Sequence, residues 1–266
     1  MGQNIKILRT RIKSVDSTLH LTKAMGLVAS SKVKKANERM LKSREYSSAL
    51  NQILEALLSS KDAQKSPYAI RRNGNRTRII VVAGDRGMAG GYNANIFRFM
   101  RGYEGAEVIA LGKRACDKYS QQFRSSEDFS AKDAYDIAVQ LCKDYLDNKF
   151  DVLAVVSTKY ESMMSQVPIY TEILPLSVEN CTNNSTIFEP DEVTILNSII
   201  PEYVAGKISS LVKEAFACEI TSRMTAMDSA GKNAKEMIDS LMLEYNRARQ
   251  GAITQEITEI VAGSGN

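Results

Sequence analysis

Read at alternating steps of three and four, the first segment gives Ile5, Leu8, Ile12, Val15, Leu19, Thr22, Gly26, Ala29, Val33, Ala36, Met40, Ser43, Ser47, Leu50, Leu54 and Leu57, all in one heptad register. No proline interrupts residues 1–66, so the pattern predicts one continuous helix of about 57 residues, about 85 Å long at 1.5 Å per residue. Its seam is large at both ends and small in the middle, where Thr22, Gly26 and Ala29 admit a close neighbour. The C-terminal stretch answers it. After Pro201, a residue suited to a first helical turn, Val204, Ile208, Leu211, Ala215 and Cys218 keep the three-four spacing. Cys218, Ser222, Ala226, Ala230, Ala234 and Ile238 then run by fours, which relaxes a left-handed winding, before Leu241, Tyr245, Ala248 and Ala252 resume the alternation. Residues 202–262 make a helix of about 90 Å. A globule of this chain length has a radius of gyration near 18 Å, so both helices must project, and their matched lengths predict that they pair.

Between them the period changes. Arg78–Ala83, Glu107–Leu111 and Asp151–Ser157 read as short β-branched strands, and Gln166–Leu174 as a further extended stretch before Pro175. Asn93–Met100, Lys113–Gln122 and Ala131–Leu146 have helical spacing. This alternation predicts a small, largely parallel sheet covered by helices. The expected fold class is therefore α/β, with a long antiparallel coiled coil of the N- and C-terminal helices and an inserted small Rossmann-like α/β domain. The expected boundaries are 1–58 for the first helix, 76–178 for the inserted domain and 200–262 for the last helix, with polar links at Ser59–Asn75 and Val178–Asp191.

Composition narrows the chemistry. The 266 residues are 44% hydrophobic, enough for a core, and no run of about 18 apolar residues spans a bilayer. A single histidine, His20, removes His-rich metal sites, and Cys116, Cys142, Cys181 and Cys218 lie too far apart for a zinc or Cys-x-x-Cys motif. This composition argues against an enzyme. Widely spaced thiols and the lack of a cleavable leader pattern point to a reducing, cytoplasm-like compartment.

Charge is distributed unevenly. Residues 1–60 carry eleven Lys or Arg against four acids, and Arg71, Arg72, Arg76 and Arg78 extend the basic run, whereas residues 202–262 carry seven bases against nine acids. Such a face serves either the opposite helix or an acidic partner. It lacks the aromatic residues that stack bases, since Tyr46 is the only one before Tyr68, so nucleic acid is not an expected partner.

Two stretches are candidates for contact. Gly84-Asp85-Arg86-Gly87-Met88-Ala89-Gly90-Gly91 follows a strand and precedes a helix, where an α/β sheet binds phosphate. Its glycines fit neither a dinucleotide fingerprint nor a Walker loop, which favours a tight turn or a protein contact. The second stretch is the C-terminal end, where Ile253, Ile257, Ile260 and Val261 form an apolar stripe with little chain left to cover it. That stripe calls for a socket in another protein.

Three blocks then identify a resemblance. Ile12–Val15 runs through Leu21–Met25 to Val28–Lys32; Asp85-Arg86-Gly87 is followed by Gly90-Gly91; and Leu243–Gln250 runs into Ile253–Val261. Over residues 1–262 the chain resembles the gamma subunits of bacterial-type rotary ATP synthases. The resemblance implies a coiled-coil shaft inside a hexamer of alpha and beta subunits, with the α/β insert as a foot beside the epsilon subunit on a ring of c subunits. It implies one copy per complex, peripheral attachment at the cytoplasmic face of the cell membrane with the membrane reached only indirectly, and no catalysis by this chain, because nucleotide chemistry belongs to beta.

By the same resemblance, Met25, Arg223, Gln250 and Thr254 meet beta, and Asp85, Arg86 and Gly87 lie near its lower end. Thr186, Ile187, Phe188 and Glu189 match the stretch beside the c ring and epsilon. Gly251 stands where the family commonly has Ala, and a mid-helix Gly costs about 1 kcal/mol relative to Ala. Gly26 and Met88-Ala89 are further departures, and the chloroplast-type cysteine insertion is absent. The reading of a different class is an α/β nucleotide-binding protein with long helical arms.

Overall fold

The structure, a computed structural model, describes residues 2–60, 63–72, 74, 76–176, 189 and 191–264. In chain order the elements are α1 (Gly2–Leu58), β1 (Thr77–Val82), α2 (Tyr92–Phe99), β2 (Glu107–Leu111), α3 (Lys113–Tyr119), α4 (Ala131–Leu146), β3 (Val152–Tyr160), β4 (Gln166–Leu174) and α5 (Glu192–Gly263). They divide into two compact units, one of residues 1–30 with 223–266, the other of residues 31–222.

The first unit is a pair of antiparallel helical segments. Small residues face across it: a Cβ at Gly26 would sit 3.6 Å from Met227 Cβ, and one at Gly231 would sit 3.5 Å from Thr22 Oγ1 and 3.9 Å from Leu19 Cδ1, ordinary van der Waals contacts. Leu19, Thr22, Ala29, Met227, Ala234 and Leu241 are buried there. The heptad register has a direct physical consequence, because none of the sixteen α1 seam positions from Ile5 to Leu57 is exposed. The same holds for every seam position of α5 from Val204 to Ala252, including the run by fours.

The second unit holds the sheet, in the order β2-β1-β3-β4, with β1 parallel to β2 and β3, and β4 antiparallel to β3 at one edge. Both faces of β1 are buried, as expected of a central parallel strand. Ile80 and Val82 join a core with Leu141 and Tyr145 of α4, Leu50, Leu54 and Leu57 of α1 and Val204 and Ile208 of α5. Ile79, Val81 and Ala83 face Tyr92 and Ile96 of α2 and Cys116 of α3. Arg44 of α1 ties this packing together through Glu214 of α5, whose Oε1 accepts from Arg44 Nη2 at 2.6 Å and from the Tyr160 backbone N–H at 2.9 Å.

Three local expectations shift. The last helix begins at Glu192, so Pro201 lies inside it and does not open it. The start is set by Asp191, whose carboxylate accepts from Thr194 N at 2.8 Å and Thr194 Oγ1 at 2.7 Å as an N-cap, and the turns before proline are held by Leu196 and Ile200, both fully buried in the core. Helix α3 ends at Tyr119, short of Gln122, because Ser120 turns left-handed at φ 53°. Gln121 then leaves the helix to bond strand β2, accepting from Ala110 N at 2.8 Å and donating to Val108 O at 2.6 Å. Finally, β3 runs on to Tyr160 because the Gln166–Leu174 stretch pairs with it as β4.

Candidate functional site

Asp85 leaves the end of β1 and turns back into its own domain. One carboxylate oxygen accepts from Lys113 N at 2.9 Å and from Ser126 N at 3.2 Å; the other accepts from Ser125 Oγ at 2.8 Å and from the Ser126 and Glu127 amides at 2.9 Å each. The group thus braces the start of α3 and the 125–127 turn. Its negative charge, committed at the root of the loop, disfavours a phosphate beside it. Gly84 is glycine for a steric reason, since a Cβ there would lie 2.7 Å from Glu219 Cδ. Arg86 is exposed and reaches Glu127 Oε2 at 3.4 Å, while a Cβ on Gly87 would approach Arg114 Nη2 at 3.0 Å. Arg86 and Met88, the latter 59% exposed, are the side chains this loop offers outward.

Met25 is half-buried, and Arg223 is only 6% exposed. Both lie in the helical-pair unit, with Gln250 and Thr254 exposed further along α5. Thr254 Oγ1 donates to Gln250 O at 2.9 Å, so its hydroxyl proton is engaged within the helix and its oxygen lone pairs remain for a partner. Beyond Ala252 every described residue of α5 is exposed, including Ile253 at 46%, Ile257 at 56%, Ile260 at 69% and Val261 at 65%. The buried seam ends there while the apolar stripe continues. Thr186, Ile187 and Phe188 lie outside the described residues; Glu189 is described and exposed.

Arg76 and Arg78 of the basic run after α1 form internal ion pairs, a role the sequence alone did not reveal. Arg76 Nε and Nη2 bind both oxygens of Asp151 at 3.1 and 3.0 Å. Arg78 is buried, donates to Asp144 Oδ2 at 2.6 Å and Glu107 Oε2 at 2.9 Å, and lies 4.5 Å above the Phe150 ring. Burial pushes the Asp144 carboxyl up, but hydrogen bonds from Lys149, Arg78 and Gln140 outweigh it and hold the pKa at about 2. Buried Cys142 is pushed up to about 12, and burial raises Cys218 further, so both stay protonated and unreactive. Among the described residues no helix is long and apolar enough to cross a membrane, and no group of three His, Cys, Asp or Glu side chains is placed to hold a metal ion.

The geometry thus presents helical pairing, an internally braced loop and an uncovered apolar tip. Residues 4–265 match the family model for ATP synthase. The ATP synthase gamma chain of Moorella thermoacetica is 36% identical over 276 residues, covering 98% of each chain, and that of Ruminococcus albus is 38% identical, covering 99% of this chain and 98% of its own. This chain belongs to the ATP synthase gamma family. The gamma fold is found again in solved structures. A chain of the Euglena gracilis mitochondrial ATP synthase superposes with a TM-score of 0.71 at 16% identity, covering 99% of this chain and 94% of that one. A chain from the central stalk and c-ring of the Tetrahymena thermophila enzyme gives 0.64 at 21% identity, covering 79% of this chain and 99% of that one.

Proposed function

We propose that this gamma chain is the central rotor shaft of an F-type ATP synthase, carrying rotation of an ion-driven c ring into the conformational cycle of the catalytic beta subunits. Three properties support the reading: the near-complete match to gamma chains, a helix pair with an unbroken buried seam, and a foot built on a mixed sheet. The observation that carries it is the apolar stripe from Ile253 to Val261, exposed where the buried seam has ended. Leaving such a stripe in water forfeits the burial that each Ile or Val would contribute, about 1.5–3 kcal/mol per fully covered side chain, so a socket is its natural complement.

In this role the chain makes no bonds in ATP. It transmits torque, which requires a stiff register and a changing face. The internal ion pairs and the Asp85 brace supply stiffness to the foot; Met25 supplies an unbranched, deformable contact for beta, and Arg223 a cation. Gln250 and Thr254 meet beta near the tip, Asp85, Arg86 and Gly87 mark the loop near beta's lower end, and Thr186, Ile187, Phe188 and Glu189 are the proposed contact with the c ring and epsilon. The partners are alpha and beta of the hexamer, epsilon and the c ring, with one gamma per complex on the cytoplasmic face of the cell membrane.

The test is recovery of the complex. The chain, tagged on its foot, is pulled down from its native membranes, and the eluate is analysed for protein content and ATPase activity. Co-purification of alpha, beta, epsilon and c with ATPase activity is expected; recovery of the chain alone, or with nucleic acid, would overturn the assignment.

A further inference from the structure

Within the sheet-containing unit, a cavity of about 480 Å³ opens where α1 and α5 face the segment before α4. Its size falls in the range of small-molecule sites. The charge around it is one-sided. Arg39 and Lys42 from α1 and Lys213 from α5 line the cavity, and among the described residues none of the three has an ion-pair partner. This sets them apart from Lys32 and Arg44 on the same helix, which pair with Glu127 at 2.5 Å and Glu214 at 2.6 Å. The one acid of the lining, Glu127, already answers both Lys32 and Arg86, so it does not balance the three cations.

Two further observations point to a ligand. Ser126 borders the cavity, is 4% exposed, and its Oγ has no hydrogen-bond partner, an arrangement that folding disfavours unless something else supplies the partner. Lys213 is half-buried, and its pKa is lowered, first by that burial and then by Arg39. Two cations held together without a counter-charge are relieved by an anion. Phe129 and Phe216, both half-buried, supply apolar walls beside the charges.

We infer that this cavity binds a phosphate-bearing small molecule, its phosphate oxygens held by Arg39, Lys42 and Lys213. The site is distinct from the Gly84–Gly91 loop, none of whose residues line it. It is also independent of the rotor assignment, since it rests on residues of one unit and asks nothing of the tip. A ligand seated there touches α1, α5 and the turn before α4 at once, and so would clamp the helix pair to the foot.

The experiment is titration of the purified full-length chain by calorimetry with pyrophosphate and, separately, with ADP. One-to-one binding that weakens with added salt is expected for at least one of them. Equal affinities identify a site for bare phosphate, and a clear preference for ADP identifies one that also uses Phe129 and Phe216 against the aromatic base. Replacing Lys213 by Met keeps the packed stem, relieves a buried charge and so leaves the fold intact, yet should weaken binding about 10-fold or more, the weight of a charge-assisted hydrogen bond; Arg39→Gln should do the same. Exposed Lys235→Met in the other unit should leave it unchanged. No binding of either probe at millimolar concentration, or binding insensitive to Lys213→Met and Arg39→Gln, would overturn the proposal. The pull-down result does not bear on it.

Discussion

Replacing Asp85 by Asn removes one acceptor oxygen and the negative charge while changing the side-chain volume hardly at all. The amide has one oxygen for two jobs. Its better orientation keeps the oxygen toward Ser125 Oγ and the Ser126 and Glu127 amides, where three contacts of 2.8–2.9 Å converge, and turns the NH2 group onto the Lys113 amide, 2.9 Å away in the native chain. A charge-assisted bond is lost outright, two donors are set face to face, and the remaining bonds become neutral ones. At about 1.5–3 kcal/mol for the lost bond and somewhat less for the weakening of the others, the brace should lose about 2–4 kcal/mol. Because α3 and the 125–127 turn can open without global unfolding, the loss is best read by native-state hydrogen exchange. A cost of 2–4 kcal/mol corresponds to exchange about 30- to 900-fold faster at the Lys113, Ser126 and Glu127 amides, with the β1 and β3 amides changed far less. Unchanged protection at those three positions would refute the reasoning, and would be decisive if the same variant abolished coupling in the assembled complex, because Asp85 would then act on a partner and not on its own domain.

Asp144, whose folded pKa of about 2 lies below its ordinary 3.8, contributes stability that is present above pH 4 and is lost as the pH falls toward about 2; acid titration of Asp144→Asn by circular dichroism should lack that component, and an unchanged acid limb would contradict the Arg78–Asp144–Lys149 account. Gly112 and Gly105 both have positive φ, but a Cβ on Gly112 would lie 1.9 Å from Ala83 O whereas Gly105 has nothing within 4 Å. Gly112→Ala should therefore fail to give folded protein, and Gly105→Ala should cost about 1–2 kcal/mol in denaturant unfolding; similar costs would show that the β2–α3 turn is less constrained than described. Ile257→Ser, at an exposed site, should leave the isolated chain within about 0.5 kcal/mol of the parent yet weaken its retention of alpha and beta in a pull-down; equal retention would mean that the stripe is not a docking element.

The helices were legible because burial imposes a period. Every position of the two seams, from Ile5 to Leu57 and from Val204 to Ala252, is at least partly buried, and strand β2 and helix α4 have the bounds read from their residues. What sequence pattern missed depends on contacts distant along the chain. Nothing local to Gln166–Leu174 specifies that it returns antiparallel to β3, and the turns before Pro201 are held by Leu196 and Ile200 joining a core with Leu57, Leu153 and Leu174, which adds to the local Asp191–Thr194 cap. The same limit applied to charge. Arg76 and Arg78 read as a continuation of the basic helix face, but Asp151 and Asp144, about seventy residues away, consume them. The one signal that pointed to Asp85 as a brace was an acid in a turn after a buried strand with a Ser-Ser pair further on, and that pattern is too common to use without the fold. The apolar tip was legible for the opposite reason, since among the described residues it has no long-range partner to find.

The most direct test of the rotor account is rotation itself. The complex is anchored through its hexamer, a bead is attached through a cysteine introduced at exposed Lys132 of α4, and the bead is watched as ATP is added. Cys116, Cys142 and Cys218 are buried and protected from labelling, and Cys181, outside the described residues, is replaced by Ser so that the bead attaches at one site. Continuous turning in one direction that stops when ATP is removed is the predicted result; sustained ATP hydrolysis with a stationary bead, in complexes that retain this chain, would contradict the account.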